Sequence, residues 1–243
     1  MLVVKKQAIT IDGNDISLLL NYVANPKAQV IFAHGAGADM SHEFMANFTA
    51  LLNKADINVT RFNFPFMDKR RLTKKKYPPD KMPKLLDCYQ SVIDYVYHQE
   101  NSSPPLFIGG KSMGSRVAVT LMADKNYRQA LSSTKVQAVF CLGYPFHPTK
   151  KPEKLRLAPL FEANRPTLII QGERDTLGNK VEVNSYGLLP HCKLIFLEDG
   201  DHSFKPRVKS GFTFADHMES AAENLCNFIS VNTKLTNNVS TLR

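Results

Sequence analysis

Short apolar runs alternate along the chain with longer segments whose apolar residues recur at helical spacing. The short runs are typical of buried strands, and the longer segments indicate amphipathic helices. This alternation predicts an α/β fold, a mostly parallel sheet with helices on both faces, because parallel strands need crossover connections. The first two runs flank Asp12-Gly13, a turn dipeptide, and predict an antiparallel hairpin. The eight predicted strands cover residues 3–11, 15–23, 28–33, 57–62, 105–109, 136–142, 167–170 and 193–197.

The longer segments predict the main helices. Ser41 is predicted to cap the first, which runs to about residue 54, and a second covers 82–98. Another follows the fifth strand, and the last covers about 214–229. We expect one domain over residues 1–243, with a polar tail from about residue 231.

Two connections limit how the sheet is covered. Residues 63–81 are predicted to form a long loop, and residues 143–166 leave room for one short helix only. Neither segment is long enough for a large cap domain, so we expect an open site.

The fifth strand leads into Gly110-Lys111-Ser112-Met113-Gly114, and a helical pattern follows. A Gly-x-Ser-x-Gly sequence between a strand and a helix is typical of the nucleophile elbow of α/β-hydrolases. Its tight turn needs small residues two places before and after the serine. Ser112 is therefore the predicted nucleophile.

A serine nucleophile needs a base, and the base needs a carboxylate to orient it. In the expected chain order of serine, acid, histidine, His202 directly follows the last predicted strand and is the predicted base. The seventh strand ends near Glu173 and Asp175. Asp175 is preferred as the acid because its short side chain lies in the loop, and Glu173 is the alternative. Asp201 is expected to cap local backbone.

Two backbone amides are expected to bind the oxyanion. One belongs to Met113, which follows the nucleophile, and the other to the glycine-rich loop after the third strand. Ala36 is the first choice in that loop and Gly35 the second. No metal or organic cofactor is expected.

Composition adds limits on class and partners. The 243 residues are 43% hydrophobic and 22% charged, as in ordinary globular proteins. No signal-peptide pattern is recognised, and no run approaches the roughly 20 apolar residues that span a bilayer. The four cysteines show no metal-ligand spacing, so we expect reduced thiols in a cytoplasmic protein, with no membrane partner.

The net charge of +9 is concentrated in residues 69–76, which include Arg70, and in residues 150–156. Without a recognisable nucleic-acid motif, we expect no nucleic-acid partner. Two interpretations stay open: solvated loops, or attraction of an anionic substrate to the site. Phe66 and Tyr144 adjoin the two clusters and either line an acyl pocket or pack within their loops.

Several sequence blocks resemble one branch of the α/β-hydrolase superfamily. That branch includes a testis-expressed hydrolase-like protein, the third subunit of the NSL chromatin complex and many small bacterial relatives. The resemblance implies the fold and a dienelactone-hydrolase-like site of Ser112, Asp175 and His202, but no particular substrate. Ser115 stands where the branch usually has glycine. The matching blocks are residues 34–38, 61–67, 109–116, 143–148, 171–175 and 199–202.

Two functions follow from these patterns. The first is a serine hydrolase that cleaves a small ester or thioester through an acyl-enzyme. The second is a binding or scaffold protein that keeps the fold without catalysis. The complete set of serine, acid and histidine in the expected order favours the hydrolase.

Overall fold

The computed structural model describes residues 2–11, 14–99 and 104–240, and its strands form one eight-stranded sheet. The strand order is β1-β2-β4-β3-β5-β6-β7-β8, with β1–β2 and β2–β4 antiparallel and all other pairs parallel. The predicted sheet is thus confirmed; the turn at Asp12-Gly13 lies outside the described residues. The strands are β1 Val3–Ile11, β2 Asn14–Tyr22, β3 Ala28–Ala33, β4 Ile57–Phe62, β5 Leu106–Lys111, β6 Val136–Leu142, β7 Thr167–Gly172 and β8 Cys192–Leu197.

Helices cover both faces of this sheet. In β3 every residue is buried, and Ile31 and Ala33 face one apolar layer while Val30 and Phe32 face the other. This is the consequence of side chains that alternate between two covered faces. Helices α3 and α4 contribute to the first layer, and α1 and α8 to the second. The helices are α1 Glu43–Lys54, α2 Pro65–Thr73, α3 Met82–His98, α4 Met113–Ala123, α5 Arg128–Ser133, α6 Ala158–Glu162, α7 Lys180–Ser185 and α8 Phe214–Ser240.

The segment 63–81 is not the continuous loop that the sequence predicts, because it contains α2. Pro65 begins this helix, where its missing amide costs no hydrogen bond. Only Phe66, Met67 and Asp68 of the helix are buried. The remaining turn is basic, so no apolar periodicity marks it as a helix.

Two helix ends also differ from prediction. His42, not Ser41, caps α1, since its Nδ1 accepts a hydrogen bond from the Phe44 amide at 3.2 Å. The last helix continues to Ser240 instead of ending near residue 229. The sequence beyond that point contains no glycine or proline to stop it. The short helices α5 and α7 were not predicted.

The connection after β6 contains the single short helix α6, as expected. No cap domain is present among the described residues. Within the same part of the chain, no helix combines the length and the apolar character needed to cross a membrane.

Candidate active site

Ser112 lies at the sharp turn between β5 and α4. Its backbone has φ 53° and ψ −114°, a conformation that L-residues rarely adopt. A Cβ on Gly110 would lie 2.4 Å from the carbonyl carbon of Gly114, and one on Gly114 would lie 2.5 Å from the Ala33 oxygen. Only glycine fits these two positions, so the sequence pattern and the strained turn have the same steric cause.

Three side chains from different loops form a hydrogen-bonded line. His202 Nε2 lies 2.9 Å from Ser112 Oγ, and His202 Nδ1 lies 2.7 Å from Asp175 Oδ2. A carboxylate only accepts, so Nδ1 carries the proton and Nε2 is left to accept from the serine hydroxyl. This tautomer is the one that a general base requires.

Asp175 is fully buried and held from two sides. The Leu177 amide donates to its Oδ1 at 2.8 Å, and the Gln171 side chain donates to its Oδ2 at 2.9 Å. A buried carboxylate with donors at both oxygens has little freedom to rotate. Its orientation toward His202 is thus built into the loop after β7.

Glu173, the alternative acid, points elsewhere. Its carboxylate binds Lys180 at 2.7 Å and the Asp199 amide at 3.1 Å, and the Lys180 hydrogen bond lowers its pKa. Asp201 accepts the amides of Ser203 and Lys205. The structure therefore brings Asp175, and neither of the other two carboxylates, to His202.

The loop after β3 is held by groups behind it. His34 is fully buried; its Nδ1 donates to the Gly35 carbonyl at 2.6 Å, and its Nε2 accepts from the Phe64 amide at 3.0 Å. Burial lowers the pKa of His34 to about 4, so the ring is neutral near pH 7 and can accept at Nε2. No pattern in the sequence predicts this role, although the histidine begins the glycine-rich loop.

Arg70 fixes the next carbonyl of the same loop. Its Nη1 donates to Ala36 O at 2.9 Å and its Nε to Tyr77 O at 2.7 Å, while the guanidinium lies 4.9 Å from the centre of the Phe66 ring. With both carbonyls engaged, the loop is held in one conformation beside Ser112. Arg70 is thus committed to backbone contacts.

A cleft of about 590 Å³ opens beside Ser112, with apolar walls from Phe44, Met45 and Phe214. Lys111 and Lys205 also reach it, whereas its lining includes no residue of the basic segments 69–76 and 150–156. The lining comprises Gly35, Ala36, Gly37, Ala38, His42, Glu43, Phe44, Met45, Lys111, Ser112, His202, Ser203, Lys205 and Phe214.

Phe66 and Tyr144 are not brought to this cleft. Tyr144 has no exposed surface, and its hydroxyl donates to Arg156 O at 2.8 Å. Phe66 is 3% exposed and packs edge-on against His34. Both aromatic rings support loops from within the core, so the pocket-lining interpretation does not hold in this conformation.

The oxyanion candidates lie where the elbow and the β3 loop meet. Gly35 and Ala36 line the cleft with Ser112. Met113 is the first residue of α4, and its amide has no acceptor within the helix. Among the described residues, no group of three histidine, cysteine or acidic side chains could hold a metal ion.

A family model described as "Alpha/beta hydrolase domain" matches residues 26–230, which is most of the chain. The chain belongs to the α/β-hydrolase family. The predicted fold is thereby confirmed, while assignment to the particular branch named above rests on sequence resemblance alone.

Solved structures share this α/β-hydrolase fold at low sequence identity. Dienelactone hydrolase from Anabaena variabilis is 16% identical, with a TM-score of 0.67 over 91% of this chain and 96% of that one. Est1E from Butyrivibrio proteoclasticus is 15% identical, with a TM-score of 0.69 over 93% and 98%. XC6422 from Xanthomonas campestris, an α/β serine hydrolase without a lid, is 17% identical, with a TM-score of 0.65 over 91% and 92%.

Proposed function

We propose that this α/β-hydrolase is a serine hydrolase that cleaves a small ester or thioester through an acyl-enzyme. The observation that carries the proposal is the unbroken line from Ser112 Oγ through the His202 ring to the buried Asp175 carboxylate. A scaffold protein has no need of this alignment. The lidless serine hydrolase and the dienelactone hydrolase that share the fold add support.

In this mechanism His202 acts first as base and then as acid. Its Nε2 takes the hydroxyl proton while Ser112 Oγ attacks the carbonyl carbon. Nε2 then gives that proton to the leaving oxygen or sulfur. Water, deprotonated by His202 in turn, hydrolyses the acyl-serine bond, while Asp175 stabilises the positively charged ring.

The developing oxyanion accepts hydrogen bonds from the amides of Met113 and Ala36. The Met113 amide lies at the N-terminus of α4, where the helix dipole favours negative charge. His34 and Arg70 hold the carbonyls of the Ala36 loop. A donor fixed before reaction stabilises the transition state without a cost of reorganisation.

The cleft indicates a small substrate with an apolar part. Its volume of about 590 Å³ lies within the range of small-molecule sites, and Phe44, Met45 and Phe214 offer apolar surface. Lys205 brings a cationic side chain to the cleft, whereas the ammonium of Lys111 is bound to the His202 carbonyl. We therefore propose that any preference for an anionic substrate arises here, and not in the basic segments 69–76 and 150–156.

The test is labelling by a fluorophosphonate probe together with hydrolysis of short p-nitrophenyl esters. We expect wild-type protein to be labelled and Ser112→Ala to lose both labelling and turnover, with an unchanged melting temperature. Ser185→Ala, at an exposed serine of α7, is the control and should be labelled like wild type. Absence of labelling in folded wild type, or labelling that survives in Ser112→Ala, would refute the proposal.

A further inference from the structure

One partly buried cation beside the nucleophile has no part in the mechanism above. Lys111 directly precedes Ser112, and its partly buried side chain lines the cleft. The Nζ donates to the backbone carbonyl of His202 at 2.5 Å. It also lies 5.5 Å from the ring centre of Phe44 and 5.4 Å from that of Phe204.

Most carbonyls in residues 199–205 have a hydrogen-bond donor, and side chains supply some of them: Arg174 Nε donates to Asp199 O at 2.9 Å, and His217 Nδ1 lies 2.8 Å from Phe204 O. Within the loop, Asp201 O accepts from the Phe204 amide and Lys205 O from the Asp201 amide. Gly200 O accepts from the Arg174 amide, outside the loop. Among the described residues, Lys111 is the donor seen at the His202 carbonyl. Lys111, a residue of the nucleophile elbow, thus binds the backbone of His202, the proposed base.

The end of β6 leaves space for this contact. Gly143 has φ +66°, and a Cβ built on it would lie 2.7 Å from Lys111 Nζ, 3.2 Å from His202 O and 3.4 Å from His202 Cε1. A side chain at this position would therefore displace the ammonium from the His202 carbonyl. The hydrogen bond from Lys111 to His202 therefore joins the end of β5 to the loop after β8, and Gly143 after β6 lies beside it.

Several ionisable side chains lie near the Lys111 ammonium. Burial lowers the pKa of Lys111 to about 8, against the opposing effect of Asp175 and Asp201. Glu43, His42 and Lys205 line the same cleft, and His202 itself is the bonded neighbour. The cation is thus partly desolvated at a position from which its side chain reaches the backbone of His202.

We propose that Lys111 is a positioning residue for the hydrolysis: by binding the His202 carbonyl, it holds the imidazole at hydrogen-bond distance from Ser112. This inference rests on the proposed serine-hydrolase function and assigns Lys111 no contact with the reacting atoms. Small displacements of a catalytic group are costly, because proton transfer requires hydrogen-bond distance.

The test compares Lys111→Met, which keeps chain length but cannot donate, with wild type. We expect the rate constant of Ser112 phosphonylation by the fluorophosphonate probe, and kcat for a neutral ester, to fall about 10–100-fold. KM should change by less than about twofold, since substrate binding is not affected. Thermal unfolding should occur at the same or a higher temperature, because a buried charge has been removed.

The pH profile separates positioning from simple loss of structure. Wild-type kcat should decline above about pH 8 as the ammonium loses its proton, and Lys111→Met should lack that step. A second variant, Lys111→Cys, can be alkylated with 2-bromoethylamine to rebuild an ammonium at nearly the original length. This treatment should restore activity at least several-fold, while wild type treated alike controls for its four native cysteines.

The possible outcomes separate failure of the positioning role from failure of the proposed hydrolase function. Wild type that is labelled, together with folded Lys111→Met that is phosphonylated equally fast, overturns the positioning role and leaves the hydrolase intact. An effect confined to KM for anionic esters also overturns it, in favour of substrate binding. Wild type that is never labelled overturns both.

Discussion

The two loops that flank Ser112 are held by different chemistry. We call residues 34–37 after β3, which carry the proposed oxyanion donor, the oxyanion loop, and residues 199–205 after β8, which carry the proposed base, the base loop. Each has a backbone carbonyl bound by a long cationic side chain from another element, Arg70 at Ala36 O and Lys111 at His202 O. Both loops are thus fixed from behind, at the carbonyl, which leaves the groups facing Ser112 free for chemistry.

The difference lies in how each cation responds to pH. Arg70 divides its hydrogen bonds between Ala36 O and Tyr77 O, and guanidinium groups in general stay protonated in proteins. Lys111 has a single described hydrogen bond, and burial brings its pKa to about 8. The neutral His34 supports the oxyanion loop further, with a pKa of about 4. The base loop should therefore be the one that loosens in mild alkali.

Removing the base should have the largest effect in this comparison. His202→Ala is expected to lower kcat by about 10³-fold or more, because no other group can take the Ser112 proton. The double variant Ser112→Ala/His202→Ala should be little worse than either single one, since the two side chains act as a unit. Steady-state kinetics of all three variants provide the measurement. Additive losses would show that His202 and Ser112 act independently.

Substitutions of Asp175 and Glu173 test which carboxylate orients His202. Asp175→Asn should reduce kcat by about 10²–10⁴-fold, because the amide cannot hold the required His202 tautomer. Glu173→Gln is the matched control and should stay within about twofold, since Glu173 binds Lys180 and the Asp199 amide instead. Rate constants on one ester decide the point. Reversed effects would transfer the acid role to Glu173.

Substitution of Arg70 tests whether this side chain supports the oxyanion loop. Arg70→Met should lower kcat by about 10–100-fold on neutral and anionic esters alike, because the Ala36 loop loses its support. Arg71→Met, at the exposed neighbouring position, should leave both rates within about twofold. The decisive quantity is kcat/KM for the two esters at low and high salt. If Arg70→Met acts only on the anionic ester, and salt removes the difference, Arg70 binds substrate charge instead.

Stability against pH should show the smallest effect. Between about pH 4 and 6.5 the unfolded chain binds a proton at His34 that the folded chain does not, so stability falls on acidification through this range. Between about pH 8 and 10.5 the unfolded chain likewise holds the Lys111 proton more strongly, so this residue makes stability rise with pH. Thermal unfolding at a series of pH values measures both contributions, because a change of 1 kcal/mol in the free energy of unfolding shifts the melting temperature by about 2–4 °C for a chain of this size. Lys111→Met should abolish only the alkaline contribution; an unchanged alkaline rise would contradict it.

Local patterns in the sequence predicted most of the sheet and the elbow. Strands β3, β4 and β6 begin and end where predicted, and nearly all of their residues are buried. The helix α2 was missed because its basic second turn has no apolar stripe. Phe66 and Tyr144 were interpreted as candidate pocket walls, but adjacency in sequence does not reveal burial.

The sequence by itself determined the order of the elements and the set of chemical groups: a serine between small residues, a histidine after the last strand, and two carboxylates after the seventh. Tertiary structure decided which carboxylate meets His202, since Gln171 and Leu177 orient Asp175 while Lys180 draws Glu173 away. It also decided the contacts of His34, Arg70 and Lys111 from which their roles are proposed. Those roles rest on hydrogen bonds between residues distant along the chain, as from Lys111 to His202, which no local periodicity encodes.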